Sequence, residues 1–370
     1  MQTQHVETVI IGAGQAGLSA AYHLQRRGVD CLVLDGIARI GDQWRNRYDS
    51  LRLFTPAYAD GLDGLRFPGD QQICPSKDEM ADYLELYALT HELPVRLRST
   101  VRWLTTGADG GYVVKLEHDG QHERITSKSV IIATGTFGQE PNIPRFAEEL
   151  AATIHQVHSI RYHSPAELPD GPVLVVGASH SGLDIALELS ADRETTLVGP
   201  HRGNLPIEWD SRVMRWAFPA VVFVFKHVLT RRTRMGRKLF DTLRHHGAPQ
   251  SRVKAHHLEA HGVEWVQDHI VGVSENGMPQ LADGRTFDVA TVVWATGIKH
   301  DHSWIDLELP IEDGWPVEYR GVVDGLSGLY FLGLAFQFSV SSGEMSGVGR
   351  DAAYIAERIA HRAHHLVSAA

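Results

Sequence analysis

The sequence predicts an α/β protein made of two Rossmann-like dinucleotide-binding units, the second inserted into the first. An apolar strand followed by a glycine-rich turn opens the chain, and the same pattern returns near its middle. Two further apolar strands each end in Ala-Thr-Gly, so each unit has a matching closing strand. At 370 residues with 43% apolar composition, the chain is long enough to fill two hydrophobic cores.

The first unit begins with the apolar strand 8–11, which leads into the turn Gly12-Ala13-Gly14-Gln15-Ala16-Gly17 and a helix over 18–27. Such glycines permit a tight turn, a close approach of the backbone to a pyrophosphate, and close packing of the helix on the sheet. The next strand, 31–34, ends in Asp35, whose carboxylate can accept hydrogen bonds from ribose hydroxyls. Strand, turn, helix, strand and acid in this order predict a dinucleotide site.

The second unit repeats the pattern with the strand 173–176, the turn Gly177-Ala178-Ser179-His180-Ser181-Gly182 and a helix over 183–190. Its following strand, 195–198, leads to His201 and Arg202 where many such units carry an acid. A guanidinium there suits the 2′-phosphate of NADPH, because it can bind the phosphate through two hydrogen bonds. A solvent-exposed arginine with no ligand is the alternative.

The closing strands set the domain organisation. Strands at 130–135 and 291–297 end in the Ala-Thr-Gly turns, and a third at 328–333 returns the chain to the first unit. We therefore predict a first domain at 1–163, an inserted domain at 164–297, and the rest of the first domain at 298–370. The runs 112–117 and 123–126, separated by a glycine-containing turn, predict a hairpin laid on the first unit.

Composition and charge exclude several other functions. A net charge of −10 gives no general basic field, which argues against nucleic-acid binding. The only cysteines, Cys31 and Cys74, match neither a redox dithiol nor a zinc motif, and the 22 histidines are scattered without the spacing of a metal site. We therefore expect no bound metal. Residues 1–7 lack the features of a secretory signal, so we also expect a cytoplasmic protein.

Several motifs together resemble the flavin-containing monooxygenases in their compact bacterial form. There is wider similarity to plant YUCCA-type enzymes and to flavoproteins described as potassium-transport-related. The resemblance covers nearly the whole chain. The motifs are the first glycine turn with Leu18, Gly41-Asp42-Gln43-Trp44, the run 47–56 (RYDSLRLFTP), Phe67-Pro68, Pro75-Ser76-Lys77, both Ala-Thr-Gly turns, and the run 347–352 (GVGRDA).

The resemblance implies FAD in the first unit and NADPH in the second, with NADH as the alternative reductant. It also implies that the last helix, opening near Ser346, points its N-terminus at the flavin, where the helix dipole suits an anionic reduced ring. The implied FAD contacts are Gly12, Ala13, Gly14, Gln15, Gly17, Asp35, Gln43, Trp44, Leu53, Thr55, Val101, Thr134, Gly135, Gly333 and Ser346. The implied nicotinamide-cofactor contacts are Gly177, Ser179, His180, Ser181, Gly182, His201, Arg202, Thr296 and Gly297.

The fingerprint segment of the monooxygenases is only partly matched. His158 and Tyr162 stand at the family's spacing, but Ala152 and Ile154 replace its phenylalanine and glycine. In the family this segment is a hinge between the domains. Many members also carry an asparagine over the flavin, where this chain has the run 54–56 (FTP). His158, Tyr162 and Thr55 are therefore hinge or active-site candidates, and no catalytic side chain is assigned.

The activity that the resemblance implies is transfer of one oxygen atom from O2 to the sulfur or nitrogen of a small lipophilic substrate, through a C4a-hydroperoxyflavin. NADPH delivers the hydride, and the protein aligns the two rings and excludes water. Baeyer–Villiger oxygenation of ketones or aldehydes is one alternative. The other is an NAD(P)H oxidase, or a flavoprotein for redox sensing or transport.

An apolar run at 216–225 is followed by a strongly basic stretch that reaches residue 238. The run is too short to span a bilayer. Three interpretations stay open: a wall of a substrate channel, a peripheral membrane contact through 216–238, and a buried helix beside a solvated basic one. The expected partners are otherwise O2 and a small-molecule substrate, and a homodimer also stays open.

Overall fold

The structure is a computed structural model that describes residues 3–201, 203, 208, 211–246 and 252–368. Its α-helices are α1 (Gln15–Gln25), α2 (Asp42–Arg45), α3 (Lys77–Thr90), α4 (His180–Leu189), α5 (Arg212–Phe223), α6 (Arg234–His246), α7 (Ala255–Ala260) and α8 (Met345–Ser368). Its strands are β1 (Thr3–Ile11), β2 (Cys31–Leu34), β3 (Val95–Arg96), β4 (Ser99–Thr106), β5 (Tyr112–His118), β6 (Gln121–Ile132), β7 (Glu140–Pro141), β8 (His155–His158), β9 (Val173–Val176), β10 (Thr195–Val198), β11 (Glu264–Val266), β12 (Ile270–Val273), β13 (Pro279–Leu281), β14 (Thr291–Trp294), β15 (Ile298–Lys299), β16 (Ile305–Asp306), β17 (Ile311–Glu312), β18 (Trp315–Pro316) and β19 (Leu329–Phe331).

Two sheets share one arrangement of five parallel strands, which confirms the predicted pair of Rossmann-like units. In the first sheet the order is β3-β2-β1-β6-β19, and in the second it is β11-β10-β9-β14-β8. All neighbouring pairs within these two sets are parallel. In each unit, the strand before the glycine turn lies beside the strand before the Ala-Thr-Gly turn. Both turns of a unit therefore meet at the C-terminal ends of the parallel strands.

The strand β8 was not predicted from the sequence. It pairs with β14 at the edge of the second sheet, the place that β19 fills in the first. The second sheet therefore begins at His155, before the predicted boundary at residue 164. We propose a domain boundary just ahead of β8, and we keep the predicted return to the first domain near residue 297.

The predicted hairpin exists, but it is not a separate layer. The strand β6 is one continuous 12-residue strand, which pairs antiparallel with β5 at its start and parallel with β1 further along. The hairpin therefore extends the first sheet, which has eight strands in total, with β4 and β16 beyond β5.

The helices α1 and α8 pack on one face of the first sheet. They share a buried cluster that includes Leu18, Leu24, Val348 and Ile355. The inserted unit has its own buried clusters on the two faces of the second sheet. Among the described residues, no helix combines the length and the apolar character needed to cross a membrane.

Candidate cofactor and substrate site

The first glycine turn is built by close backbone approaches. Gly12 has φ +110°, and a Cβ placed on it would lie 2.3 Å from the carbonyl oxygen of Ala133 in the turn after β6. A Cβ on Gly17 would lie 1.8 Å from the carbonyl oxygen of Gly12. These glycines are needed because no side chain fits between the turn, α1 and the sheet.

Gly14 plays a different part, because its backbone is one that other residues adopt. It precedes α1 with φ −80° and ψ −173°, and a Cβ there would meet only the end of the Gln43 side chain, 3.2 Å away. No side chain caps the N-terminus of α1. The first-turn amides of α1 therefore offer hydrogen bonds to a ligand, and a pyrophosphate beside Gly14 and Gln43 fits this arrangement.

Asp35 is fixed by backbone amides at the end of β2. Its Oδ2 accepts from the amide of Ala13 at 2.6 Å, and its Oδ1 accepts from the amide of Ile37 at 3.1 Å. Burial raises the pKa of the Asp35 carboxyl, and the amide hydrogen bonds act in the opposite direction. The hydroxyl of Thr100 approaches Gly36, so β4, which carries the predicted contact Val101, lies next to this carboxylate. The position suits a ribose.

The other end of the first site is formed where three elements meet. The carbonyl oxygen of Gly343, just before α8, accepts from Gln15 Nε2 and from Thr136 Oγ1, both at 3.4 Å. Gly333 lies so close to α1 that a Cβ on it would be 2.8 Å from the Cβ of Ala16. The structure thus brings the predicted contacts Gln15, Gly333 and Ser346 close to the turn at Thr134 and Gly135. Thr136 lies in the same place, and the sequence did not single it out.

The second glycine turn reproduces the first. A Cβ on Gly177 would lie 2.3 Å from the carbonyl oxygen of Ala295, and one on Gly182 would lie 1.8 Å from that of Gly177. Ser179 precedes α4 with φ −93° and ψ −176°, nearly the backbone of Gly14, and no side chain caps α4. Ser179 stands where the first turn has Gly14, and a serine can adopt this extended backbone without strain. The turn fits a second dinucleotide.

At the far end of this second site, His201 lies against Trp265. Their ring centroids are 5.3 Å apart, and Trp265 Nε1 donates to the carbonyl oxygen of Gly199 at 2.8 Å. Arg202 lies outside the described residues. Its contact with a 2′-phosphate stays a prediction.

His158 holds the second Ala-Thr-Gly turn. Its Nδ1 accepts from the amide of Ile160 at 3.3 Å, so its Nε2 carries the proton and donates to the carbonyl oxygen of Gly297 at 3.0 Å. Burial lowers the pKa of His158, which favours this neutral form. Thr296 in the same turn donates to the carbonyl oxygen of Asn142 at 2.5 Å. His158, Thr296 and Gly297 therefore form one cluster.

The side chains of the other two hinge or active-site candidates have partners outside this cluster. Tyr162 is fully buried in the core of the inserted unit, and its hydroxyl donates to Glu188 at 2.7 Å. Thr55 is also buried, and its hydroxyl donates to Asp60 Oδ1 at 2.5 Å.

A cavity of about 170 Å³ lies between the two units. Trp44 and Leu53 line it from the first unit, and His180 and Ser181 line it from the start of α4. Residues predicted for FAD and residues predicted for the nicotinamide cofactor therefore face the same space. Phe54 also lines it, with its ring centroid 5.6 Å from that of His180.

A polar bridge crosses this cavity. The hydroxyl of Tyr48 in the first unit donates to Asp184 Oδ2 on α4 at 3.0 Å, and Arg252 donates to the same oxygen at 3.2 Å. Burial raises the pKa of Tyr48, so the hydroxyl keeps its proton. The sequence did not reveal this bridge, because its three members are far apart along the chain and share no common motif.

We predict that Tyr48→Phe weakens the binding of NADPH without removing FAD. The bridge fixes α4 against the first unit, and its loss should raise the KM for NADPH by about threefold to tenfold, which corresponds to the loss of one ordinary hydrogen bond. Steady-state kinetics and flavin absorbance measure both effects. Tyr162→Phe, which removes a hydrogen bond inside the inserted unit, is the matched control. Equal effects of the two substitutions would contradict a special role for the bridge.

Asp60, the hydrogen-bond partner of Thr55, lies near a second acid, Glu344. Asp60 is 1% exposed, its Oδ2 has no hydrogen-bond partner among the described residues, and burial raises its pKa to about 7. Glu344 precedes α8, and burial together with the nearby charge of Asp60 raises its pKa to about 8. These two acids therefore lie next to the end of the first site at which α8 begins.

Comparison with known proteins gives the family. A profile described as pyridine nucleotide-disulphide oxidoreductase matches residues 9–333. A CzcO-like oxidoreductase of Geobacillus kaustophilus is 37% identical over 95% of this chain and 98% of that protein. The solved flavin-containing monooxygenase from Stenotrophomonas maltophilia is 26% identical with a TM-score of 0.78, and the match covers 97% of this chain and 99% of that one. The chain belongs to the flavin-containing monooxygenase family.

This flavin-containing monooxygenase homologue is an NAD(P)H-dependent flavoprotein oxidoreductase that uses FAD. An indole-3-pyruvate monooxygenase of rice, YUCCA1, is 35% identical, but the match covers only 49% of this chain and 44% of that protein. The family therefore supports monooxygenation in general, and the residue contacts described above stay predictions.

Proposed function

We propose that this protein is an FAD-dependent NADPH monooxygenase that places one oxygen atom of O2 on the sulfur or nitrogen of a small, lipophilic substrate. The observation that carries the proposal is the cavity shared by Trp44 and Leu53 of the first unit and by His180 and Ser181 of the second. Such a space allows a reduced nicotinamide to meet a flavin, which hydride transfer requires.

When bound, the flavin supplies the redox and oxygen chemistry. The amides at the starts of α1 and α4 would bind the two pyrophosphates, and Asp35 would accept hydrogen bonds from a ribose. The bridge of Tyr48, Asp184 and Arg252 would hold the units at a fixed separation while the apolar side chains of Leu53 and Phe54 exclude water. Because reduced nicotinamide cofactor is supplied in the cytoplasm, we propose that the protein works there.

The cysteines support oxygen transfer over disulfide reduction. No disulfide joins Cys31 to Cys74, and burial raises the pKa of the Cys31 thiol to about 12, so it stays protonated. A dithiol relay needs a reactive thiolate pair. The chemistry is therefore carried by the flavin and O2 rather than by sulfur.

Isotope incorporation tests the proposal. The purified protein with FAD, NADPH and ¹⁸O₂ is incubated with a panel of thioethers, tertiary amines, ketones and long-chain analogues of each. We expect one ¹⁸O atom in a sulfoxide or N-oxide, with NADPH consumed in proportion to product. An ester or lactone product would favour Baeyer–Villiger oxygenation instead. Peroxide equal to the NADPH consumed, whatever compound is added, would overturn the proposal in favour of an oxidase or redox-sensing flavoprotein.

A further inference from the structure

The outer face of α5 leaves large apolar side chains in solvent. Trp216 is 90% exposed, Val213 is 65% exposed and Phe223 is 59% exposed. Their spacing of three and seven residues places them on one side of the helix, together with the exposed Ala220. Single exposed apolar residues are ordinary, but a helix-long row that includes a tryptophan marks an interaction surface.

The inner face of the same helix is already packed. Met214 and Phe218 are buried against Ala59, and the ring of Phe218 meets that of Tyr58 edge to face with centroids 6.2 Å apart. The helix therefore carries apolar side chains on both its inner and its outer side. The outer row is not needed for the core of this chain, so it is available to a partner.

The surroundings of this row are strongly basic. Between Ser211 and Phe240 the sequence has eight Lys and Arg residues and no Asp or Glu, in a chain whose net charge is −10. On α6, Arg234, Arg237 and Lys238 are exposed, and Met235 is 59% exposed beside them. Positive charge and exposed apolar side chains thus occur on two consecutive helices.

We propose that this surface docks on an anionic lipid bilayer. The docking face consists of Val213, Trp216, Phe223 and Met235, with Arg234 and Lys238 among its basic residues. A bilayer accepts apolar side chains at the boundary of its acyl chains and basic side chains at its headgroups. None of the described helices is suited to cross a membrane, so the contact is peripheral.

Other partners satisfy fewer of these groups. A second copy of the chain would bring two basic faces together, and like charges repel. A nucleic acid would pair with the basic side chains but would leave Val213 and Phe223 without apolar partners.

Docking would place the bilayer close to the candidate site. Phe54 packs with Met214 and Phe218 of α5 and also lines the cavity between the two units. A lipophilic substrate dissolved in the bilayer could then reach the cavity past α5. This route rests on the proposed function, whereas the binding to lipid does not.

Vesicle co-sedimentation of the FAD-bound protein tests the docking face. We expect binding to phosphatidylcholine vesicles that contain phosphatidylglycerol, weaker binding to phosphatidylcholine alone, and release by salt. Trp216→Ser should lower the affinity for the anionic vesicles by about tenfold, because the indole ring is withdrawn from the interface. The double variant Arg234→Gln with Lys238→Gln should reduce the dependence on phosphatidylglycerol.

The control is Leu89→Ser, which removes a side chain that is 75% exposed on α3. All variants should retain FAD and the vesicle-free rate of NADPH oxidation, which separates lipid binding from folding and from the proposed oxygenation. Failure of the wild type to bind, or equal binding by wild type and Trp216→Ser, would overturn the proposal. A dimer in solution that Trp216→Ser converts to a monomer would also overturn it and assign the face to self-association.

Discussion

Gly14→Val is expected to give a folded protein that lacks FAD. The backbone of Gly14 is extended with a negative φ, so valine can adopt it, and within the chain its Cβ would meet only the movable end of Gln43. The same side chain would occupy the space beside the uncapped start of α1, where we place the pyrophosphate. We expect flavin occupancy to fall by at least about tenfold while the circular dichroism spectrum stays that of the wild type.

The second unit provides a matched control. Ser179 has nearly the same backbone angles ahead of α4, so Ser179→Val makes the same change at the other site. That variant should keep its FAD and lose affinity for NADPH, which titration of the reductant measures. Normal flavin occupancy in Gly14→Val would show that the pyrophosphate lies elsewhere, and loss of flavin in both variants would indicate general misfolding.

The two glycine turns could be predicted from sequence because each requirement is local. A Cβ on Gly12 or Gly177 would collide with the carbonyl oxygen of the Ala-Thr-Gly turn, so the short motif carries the geometry. The strand orders then follow, because parallel strands with crossover helices have few arrangements. The edge strand β8 could not be predicted, because His155–His158 shows no clear alternation of apolar and polar residues and pairs in the sheet only with β14.

The cavity between the units could not be predicted in the same way. Tyr48, Asp184 and Arg252 meet only after both units have folded and packed together. Asp60 and Glu344 are likewise distant in the chain, and their proximity is a property of the assembled fold. His158 and Tyr162 were hinge or active-site candidates, but the sequence did not show that one holds the turn at Gly297 and the other packs inside the inserted unit.

The burial of Asp60 has a direct consequence for stability. The ordinary pKa of an aspartate is 3.8, and burial raises that of Asp60 to about 7 in the folded protein. A raised pKa means that the unfolded chain loses its proton first as the pH rises. The contribution of neutral Asp60 to the free energy of unfolding is therefore fully present below about pH 4. It decreases as the pH rises above about 4 and is lost once the pH has passed about 7.

Asp60→Asn should therefore stabilise the protein in a pH-dependent manner. Asparagine keeps an oxygen that can accept the hydrogen bond from Thr55, and it removes the charge that burial disfavours. We expect a gain in the free energy of unfolding of about 2 to 4 kcal/mol above about pH 8, smaller by about 2 kcal/mol near pH 5.5. Denaturant unfolding at the two pH values, with equal flavin occupancy in both proteins, measures it.

Asp63→Asn is the control of opposite sign, because a hydrogen bond from His23 lowers the pKa of Asp63 and its carboxylate form is the favoured one. That variant should show no gain at high pH. A gain for Asp60→Asn that is the same at both pH values would mean that the effect comes from packing, and the absence of any gain above pH 8 would mean that Asp60 is stabilised as a carboxylate by a partner such as bound cofactor or water.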